Sequence, residues 1–215
     1  VGGIAGYNSA TPLTNVKNFG TIDLKGTVKF GISTFDEETG EPVSNVTKYL
    51  VGGICGTGTV AVSGAENRGE INIAGEYVMT GAVYPTHGFA GCFGAKNSGT
   101  LTDNVHNYGP INVSITINDG DIAKNVPVYI GGVAAYAGSS QFTNCSNNAT
   151  ITVSGNHNYS SLSADNDGSK NFHGSALRIA GVVCRGPNNA NYPYDNIVNN
   201  GHIICNVNLP KNAIH

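Results

Sequence analysis

The sequence predicts an all-β chain: a right-handed parallel β-helix (β-solenoid) of five coils with hairpin-like insertions at one edge. Three observations carry this prediction. A glycine-flanked apolar strand recurs five times, a second block closing on Ile-x-apolar follows each copy, and the copies align column by column. Self-similarity of this kind marks a solenoid, because one repeat cannot bury its apolar face alone and its neighbours supply the missing wall. The right hand is expected because nearly all parallel crossovers have it.

The first block reads Val1-Gly2-Gly3-Ile4-Ala5-Gly6, then Val51-Gly52-Gly53-Ile54-Cys55-Gly56 and Phe89-Ala90-Gly91-Cys92-Phe93-Gly94. It returns as Ile130-Gly131-Gly132-Val133-Ala134 and Ile179-Ala180-Gly181-Val182-Val183. The second block follows roughly 16–20 positions later, a spacing within the solenoid range. One of its columns is always Asn: Asn18, Asn67, Asn107, Asn147 and Asn199. A second is always Ile: Ile22, Ile71, Ile111, Ile151 and Ile203. Two residues further on, the column is apolar: Leu24, Ile73, Val113, Val153 and Cys205. Ile-x-apolar is a period-2 strand with one buried face, and stacking places each Ile about 4.7–4.9 Å above the next. The alternative fold is a five-bladed propeller, whose blades have a similar period. The Ile column decides between the two, being one straight stack in a solenoid and a ring in a propeller.

The Asn column precedes each strand by four residues and marks a corner. Asn tolerates the left-handed backbone region and can hydrogen-bond along the stack, so Asn67, Asn107 and Asn147 are expected to be buried and bonded. The Gly two residues on, present in four of the five copies, is expected to serve the same turn. Between the Ile strand and the next Gly-Gly strand the chain runs through segments of unequal length, about residues 25–50, 74–88, 114–129 and 154–178. Thr27-Val28-Lys29-Phe30 and Tyr77-Val78-Met79 alternate and read as arms of hairpins or flaps. Asp36 through Pro42 and Asn156 through Gly174 read as loop tips. Insertions on one edge of a repeat scaffold often bind a partner.

Composition narrows the function. The 215 residues carry a net charge of −3, with 11 Lys+Arg and 12% charged residues. No basic footprint for nucleic acid is present, and no apolar run approaches the ~18–20 residues of a membrane span. The whole of 1–215 reads as a single β-solenoid domain cut from a longer chain. Val1 to Gly6 is as apolar as the inner copies, so a further coil or domain is expected before Val1, with end-to-end association of the isolated segment. Pro210 would interrupt strand pairing beyond the last coil.

The Gly-Gly-apolar strand, the Asn144-Cys145 pair and the run Asn-x-Gly-x-Ile-x-apolar-x-Gly resemble the GLUG-type repeat. The copies closing on Ile22-Asp23-Leu24-Lys25-Gly26 and Ile71-Asn72-Ile73-Ala74-Gly75 match it best. Copies three and five lack the closing Gly, and the long inserts depart from a plain array. The resemblance implies an adhesin-like secreted or cell-surface β-helix of bacteria, gut Bacteroidetes among them. It brings no catalytic or binding residues.

Chemistry-bearing residues are few. Cys145 falls in the column of Val16, Val105 and Ile197, Cys205 in that of Leu24 and Val113, and Cys92 in that of Ile54 and Val133. With Cys55 and Cys184 on or beside the Gly-Gly strands, all five read as structural thiols; no CxxC spacing suggests zinc or redox chemistry. Polysaccharide cleavage needs paired carboxylates about 5–9.5 Å apart, and no two acids fall in register on adjacent coils. No catalytic residue is therefore assigned. One outward column gathers Lys17, Glu66, His106 and Ser146, a polar ladder that reads as a solvated face or, functionally, as an anion or proton-transfer site. Tyr192-Pro193-Tyr194, with Asn189 and Asn191, offers aromatic faces and amides for sugar binding. Asp165-Asn166-Asp167-Gly168 resembles part of a calcium loop but lacks the closing Glu, so Asp165 and Asp167 are candidates only for a looser calcium clip. The reading is a non-catalytic surface or secreted module, adhesin or spacer, that meets glycan or protein through its flaps. The alternative is a polysaccharide-active lyase or hydrolase, or its carbohydrate-binding part.

Overall fold

A computed structural model describes residues 1–26, 29–32, 38–39, 49–80, 87–97, 100–118, 128–158, 177–186, 191 and 193–208. None of these is helical, so no helix is long and apolar enough to cross a membrane. Every strand pairing among them is parallel. The chain is a parallel β-helix whose full coil contributes one strand to each of four sheets.

In the second coil these strands are Leu50–Gly52, Cys55–Gly58, Val62–Asn67 and Ile71–Thr80. The corresponding strands of the other coils stack on them and build sheets one to four. Sheet four carries the Ile column. Ile22 pairs with Ile71, Ile71 with Ile111, Ile111 with Ile151 and Ile151 with Ile203, one unbroken stack that excludes the propeller.

The Gly-Gly strand is two strands rather than one. The chain folds sharply after Gly52, Gly91-adjacent Ala90, Gly131 and Ala180, dividing sheet one from sheet two. A Cβ on Gly52 would overlap the Cys55 and Cys92 carbonyls, so a side chain there would forbid the fold-back. The second glycine serves a different purpose. A Cβ on Gly53, Gly91, Gly132 or Gly181 would overlap the side chain of Asn67, Asn107, Asn147 or Asn199 respectively. The Gly column thus presses directly against the Asn column and pinches the coil at its waist. Two apolar cores result. One lies between sheets one and four around Val51, Ile71, Phe89, Ile111, Ile130 and Ile151. The other lies between sheets two and three around Ile54, Cys92, Phe93, Val105, Val133 and Phe142.

The Asn column is buried as expected, with Asn67, Asn107 and Asn147 each 0% exposed. Each amide donates to the next: Asn18 Nδ2 to Asn67 Oδ1 at 2.8 Å, then Asn67 to Asn107 at 2.9 Å, Asn107 to Asn147 at 2.8 Å and Asn147 to Asn199 at 2.9 Å. The second N–H of each bonds the carbonyl two residues on, at Gly20, Gly69, Gly109, Ala149 and Gly201. A buried corner keeps its polar groups satisfied in this way.

The left-handed turn falls elsewhere. At this corner the positive-φ residues sit three positions earlier, at Asn15, Asn104, Asn144 and Asn196, each with φ between 50° and 53°, and at Gly64 with φ 70°; Gly26 and Gly155, beyond the Ile strand, have φ of 118° and 136°. There the third strand bends and its alternation changes phase, so that Phe142 and then Cys145 and Asn147 all face inward. The Gly two residues after the ladder Asn is not needed for a positive φ either. It lets successive coils approach, since a Cβ on Gly69 or Gly109 would overlap the carbonyl of Gly20 or Gly69 one rung away.

The described flanks of the inserts are not hairpin arms. Ile71–Thr80 and Ile111–Asn118 continue sheet four in parallel register, with Ile117 opposite Tyr77, and Lys29–Ile32 pairs with the same extension. Hydrogen bonding along the stack is already available to these residues, so they extend the ladder. Each insert then runs from the end of sheet four to the start of sheet one, which places all four at one corner. The loop tips, apart from the exposed Glu38 and Thr39 and the first residues of the second, lie outside the described residues.

Candidate functional site

The polar column occupies adjacent rungs on the outer face of sheet three: Lys17 opposite Glu66, Glu66 opposite His106, His106 opposite Ser146. It forms two units. Glu66 receives Lys17 Nζ at 3.0 Å on one carboxylate oxygen and Arg68 Nε at 2.9 Å on the other. These two bonds hold its carboxyl below the usual range. The Arg68 guanidinium also lies 4.6 Å from the ring centre of Tyr108 on the next rung. His106 bonds Ser146 Oγ through Nδ1 and Asn104 Oδ1 through Nε2, each at 2.8 Å. Asn104 Oδ1 only accepts, so Nε2 carries the proton, and in the neutral ring Nδ1 accepts from the Ser146 hydroxyl. Glu66 and His106 therefore share a column but turn to different partners, and the arrangement is a braced ladder rather than a relay.

The outer face of sheet four holds a larger polar array. Between the inward Ile and its apolar partner, each strand turns one residue outward: Asp23, Asn72, Asn112 and Thr152 in successive coils. Asn72 Nδ2 donates to Asp23 Oδ1 at 2.8 Å, and Asn112 Nδ2 donates to Asn72 Oδ1 at 2.9 Å and to Glu70 Oε1 at 2.7 Å. The Asn72 bond, with Lys25 Nζ at 3.0 Å, holds the Asp23 carboxyl below its ordinary value. A shallow hollow of about 180 Å³ opens here, lined by Lys25, Asn72, Ala74, Asn112, Ser114 and Thr152 among others. The residue between Ile and the apolar position was the signal for this face in the sequence.

Of the proposed sugar-binding group, Tyr192 and Asn189 lie outside the described residues, as do Asp165 and Asp167 of the calcium clip. Tyr194 is exposed, but it stands on a strand rather than on a loop. It opens the strand Tyr194–Asn199 in the inward column of Val62, Thr102 and Phe142, and its ring meets Phe142 edge-on at 5.7 Å. Among the described residues its strand is paired on one side only, and it is 42% exposed. Burial pushes its hydroxyl up to about 12. Asn191 accepts a hydrogen bond from Gln141 Nε2 at its carbonyl, 3.4 Å away. No group of three or more His, Cys, Asp or Glu gathers among the described residues.

The thiols are free. Cys55, Cys92 and Cys145 are buried, and burial pushes the thiols of Cys55, Cys92, Cys145 and Cys184 upward, the last two to about 11. Protonated thiols of this kind are poor nucleophiles. Cys205 shares the column of Val153 but is exposed, on a strand paired on one side only among the described residues. Two buried basic groups escaped the sequence reading. Lys96 is fully buried, donates to Thr100 Oγ1 at 2.7 Å, and has its ammonium pushed down to about 8 by desolvation. His87, also fully buried, accepts the Tyr49 N–H at Nδ1 and is pushed down to about 4.

Compared with known proteins, the chain matches no family model, no curated protein and no solved structure.

Proposed function

We propose that this chain is a non-catalytic module of a secreted or cell-surface protein, a β-helical adhesin or spacer of the GLUG-type kind, that binds glycan or protein on its outer surface. One observation carries the reading: the flat Asn/Ser/Thr-rich outer face of sheet four, with Asn72, Asn112 and Thr152 in register and a shallow hollow beside them. Amide and hydroxyl groups at the regular rung spacing of a parallel sheet suit the repeating hydroxyls of an extended saccharide. The inserts leave at the end of this same sheet, which places any contact they make next to it.

The second reading, a polysaccharide lyase or hydrolase, draws on Asp23 and Glu70, acids of adjacent coils on this face. Both are engaged by asparagine amides, which favours a role in holding the ladder.

A glycan-array screen of the purified chain beside Asn112→Ala tests the proposal. The expected result is binding to a defined set of glycans that the substitution weakens. Release of new reducing ends or unsaturated sugars from a polysaccharide panel would replace it with the enzyme reading.

A further inference from the structure

Sheets one and two fold back on each other at the Gly-Gly corner, and their outward faces enclose a groove. In coils two and three this groove is closed by backbone. A Cβ on Gly88 would overlap the Gly94 carbonyl, and one on Gly94 would lie 2.5 Å from the Val51 nitrogen. In coils four and five it is filled by side chains instead. Tyr129 projects from sheet one, only 1% exposed, and packs with Ala90 and Ala135, flanked by Tyr136 and Cys184.

Two of the three arginines in the chain converge here. Arg178 stands one rung from Tyr129, and Arg185 one rung from Tyr136. Both guanidinium carbons lie close to the same ring, 5.6 Å and 5.5 Å from the centre of Tyr129, and Arg185 lies 5.2 Å from that of Tyr136. Arg185 Nη1 donates to the Tyr129 hydroxyl at 2.9 Å. The third arginine, Arg68, is neutralised by Glu66. Among the described residues Arg178 and Arg185 have no carboxylate partner, since the ion pairs there are Lys17–Glu66, Lys25–Asp23 and Arg68–Glu66.

We propose that Arg178 and Arg185, held on Tyr129 and Tyr136, bind the anionic group of an acidic glycan, its sulfate or carboxylate. Contact with the buried Tyr129 ring, and for Arg185 also the Tyr136 ring and the bond to the Tyr129 hydroxyl, restricts the guanidiniums before a ligand arrives, so less side-chain freedom is lost on binding. Two like charges brought to one ring repel each other, and a bound anion relieves that repulsion while accepting charge-assisted hydrogen bonds from the planar donors. The proposal rests on the glycan-binding reading above but places the charged end of the ligand on a different face.

Titration of the chain with a chondroitin sulfate oligosaccharide, an oligogalacturonate, a neutral cello-oligosaccharide and inorganic sulfate tests it. Binding of one or both acidic oligosaccharides is expected, weakening as salt is raised. Arg178→Gln and Arg185→Gln should each reduce it by about tenfold, as loss of a charge-assisted bond does. Each single variant is checked for fold by circular dichroism, and Tyr129→Phe, which removes only the hydroxyl anchor, provides a milder perturbation expected to weaken binding less. Affinity unchanged in both arginine variants overturns the proposal, as does inorganic sulfate binding as tightly as the oligosaccharides. Neutral-glycan binding that is sensitive to Asn112→Ala, with no acidic binding, overturns this site and leaves the sheet-four reading standing. Acidic binding lost in the arginine variants but indifferent to Asn112→Ala supports this site and removes the sheet-four face.

Discussion

Replacing Asn107 by alanine removes the centre of the buried amide ladder, and the structure sets the size of the effect. Asn107 accepts from Asn67 Nδ2 at 2.9 Å and donates to Gly109 O at 2.9 Å and Asn147 Oδ1 at 2.8 Å. Alanine leaves three polar groups without these partners at a fully buried corner. The Asn147 oxygen keeps only the 3.4 Å contact from the Ala149 N–H. Each orphaned buried group costs about 1–3 kcal/mol, so a loss of about 3 kcal/mol is expected even at the lower end. That is a large part of the ~5–15 kcal/mol that holds a domain together.

Asn112→Ala is the matched control. Asn112 makes amide bonds of the same length, to Asn72 at 2.9 Å and Glu70 at 2.7 Å, but on the solvent side of sheet four. Its partners rehydrate, and the expected cost is about 0.5 kcal/mol or less. Asn18→Ala, at the end of the buried ladder and with one neighbouring coil, should fall between the two. Urea denaturation at one chain concentration gives the midpoints, and unchanged slopes show that the transitions are comparable. Hydrogen exchange adds the local view, because solenoid stability is close to a sum over neighbouring coils. If Asn107→Ala and Asn112→Ala shift the midpoint equally, burial of the ladder is not what makes it stabilising, and the reasoning fails.

Three further outcomes follow from the same structure. Gly91→Ala should destabilise by several times more than Gly6→Ala, because the new methyl meets Asn107 and the Gly132 carbonyl at the waist, whereas nothing lies within 4 Å of the site at Gly6; equal thermal midpoints would remove the pinched-waist account. For His87, burial lowers the imidazole from 6.5 to about 4, so between those values the unfolded chain binds a proton that the native chain refuses. Stability should therefore fall as pH drops through that window, by about 3 kcal/mol in all, and His87→Gln should flatten the slope in denaturation curves taken across it. Finally, Ile4 at one end of the stack and Ile203 at the other are each 45% exposed, and the two end coils carry the same columns as the inner interfaces. Head-to-tail stacking of two copies would extend the Asn ladder from Asn199 to Asn18, so the sedimentation coefficient should rise with concentration and Ile203→Lys should abolish the rise. A constant value would refute it.

Much of the fold is legible in the chain because repetition converts sequence into register. Five isoleucines in one column must stack if each coil is to bury its apolar face against the next, and that alone separates the solenoid from the propeller. The Asn ladder and the rungs Lys17–Glu66 and Glu66–His106 follow from the same alignment. What the columns do not encode is direction across the coil. The contact of Gly53 with Asn67 joins the corner after the first strand to the third strand of one coil, and only folding reveals that the glycine is there to admit the amide. The left-handed corner passed to Asn15, Asn104, Asn144 and Asn196 because the third strand changes phase there, which periodicity within the ladder cannot show. Tyr194 resembled a loop aromatic until pairing with Phe142 placed it on a strand in an inward column, and Cys205 is exposed on a strand paired on one side only among the described residues. Arg178 meets Tyr129 as its rung neighbour, but Arg185 reaches the same ring only because two sheets fold back at the Gly-Gly corner. Rung neighbours are set by period, which a sequence carries. Contacts between different sheets are set by the angles of the corners, and those depend on how close two backbones can pack.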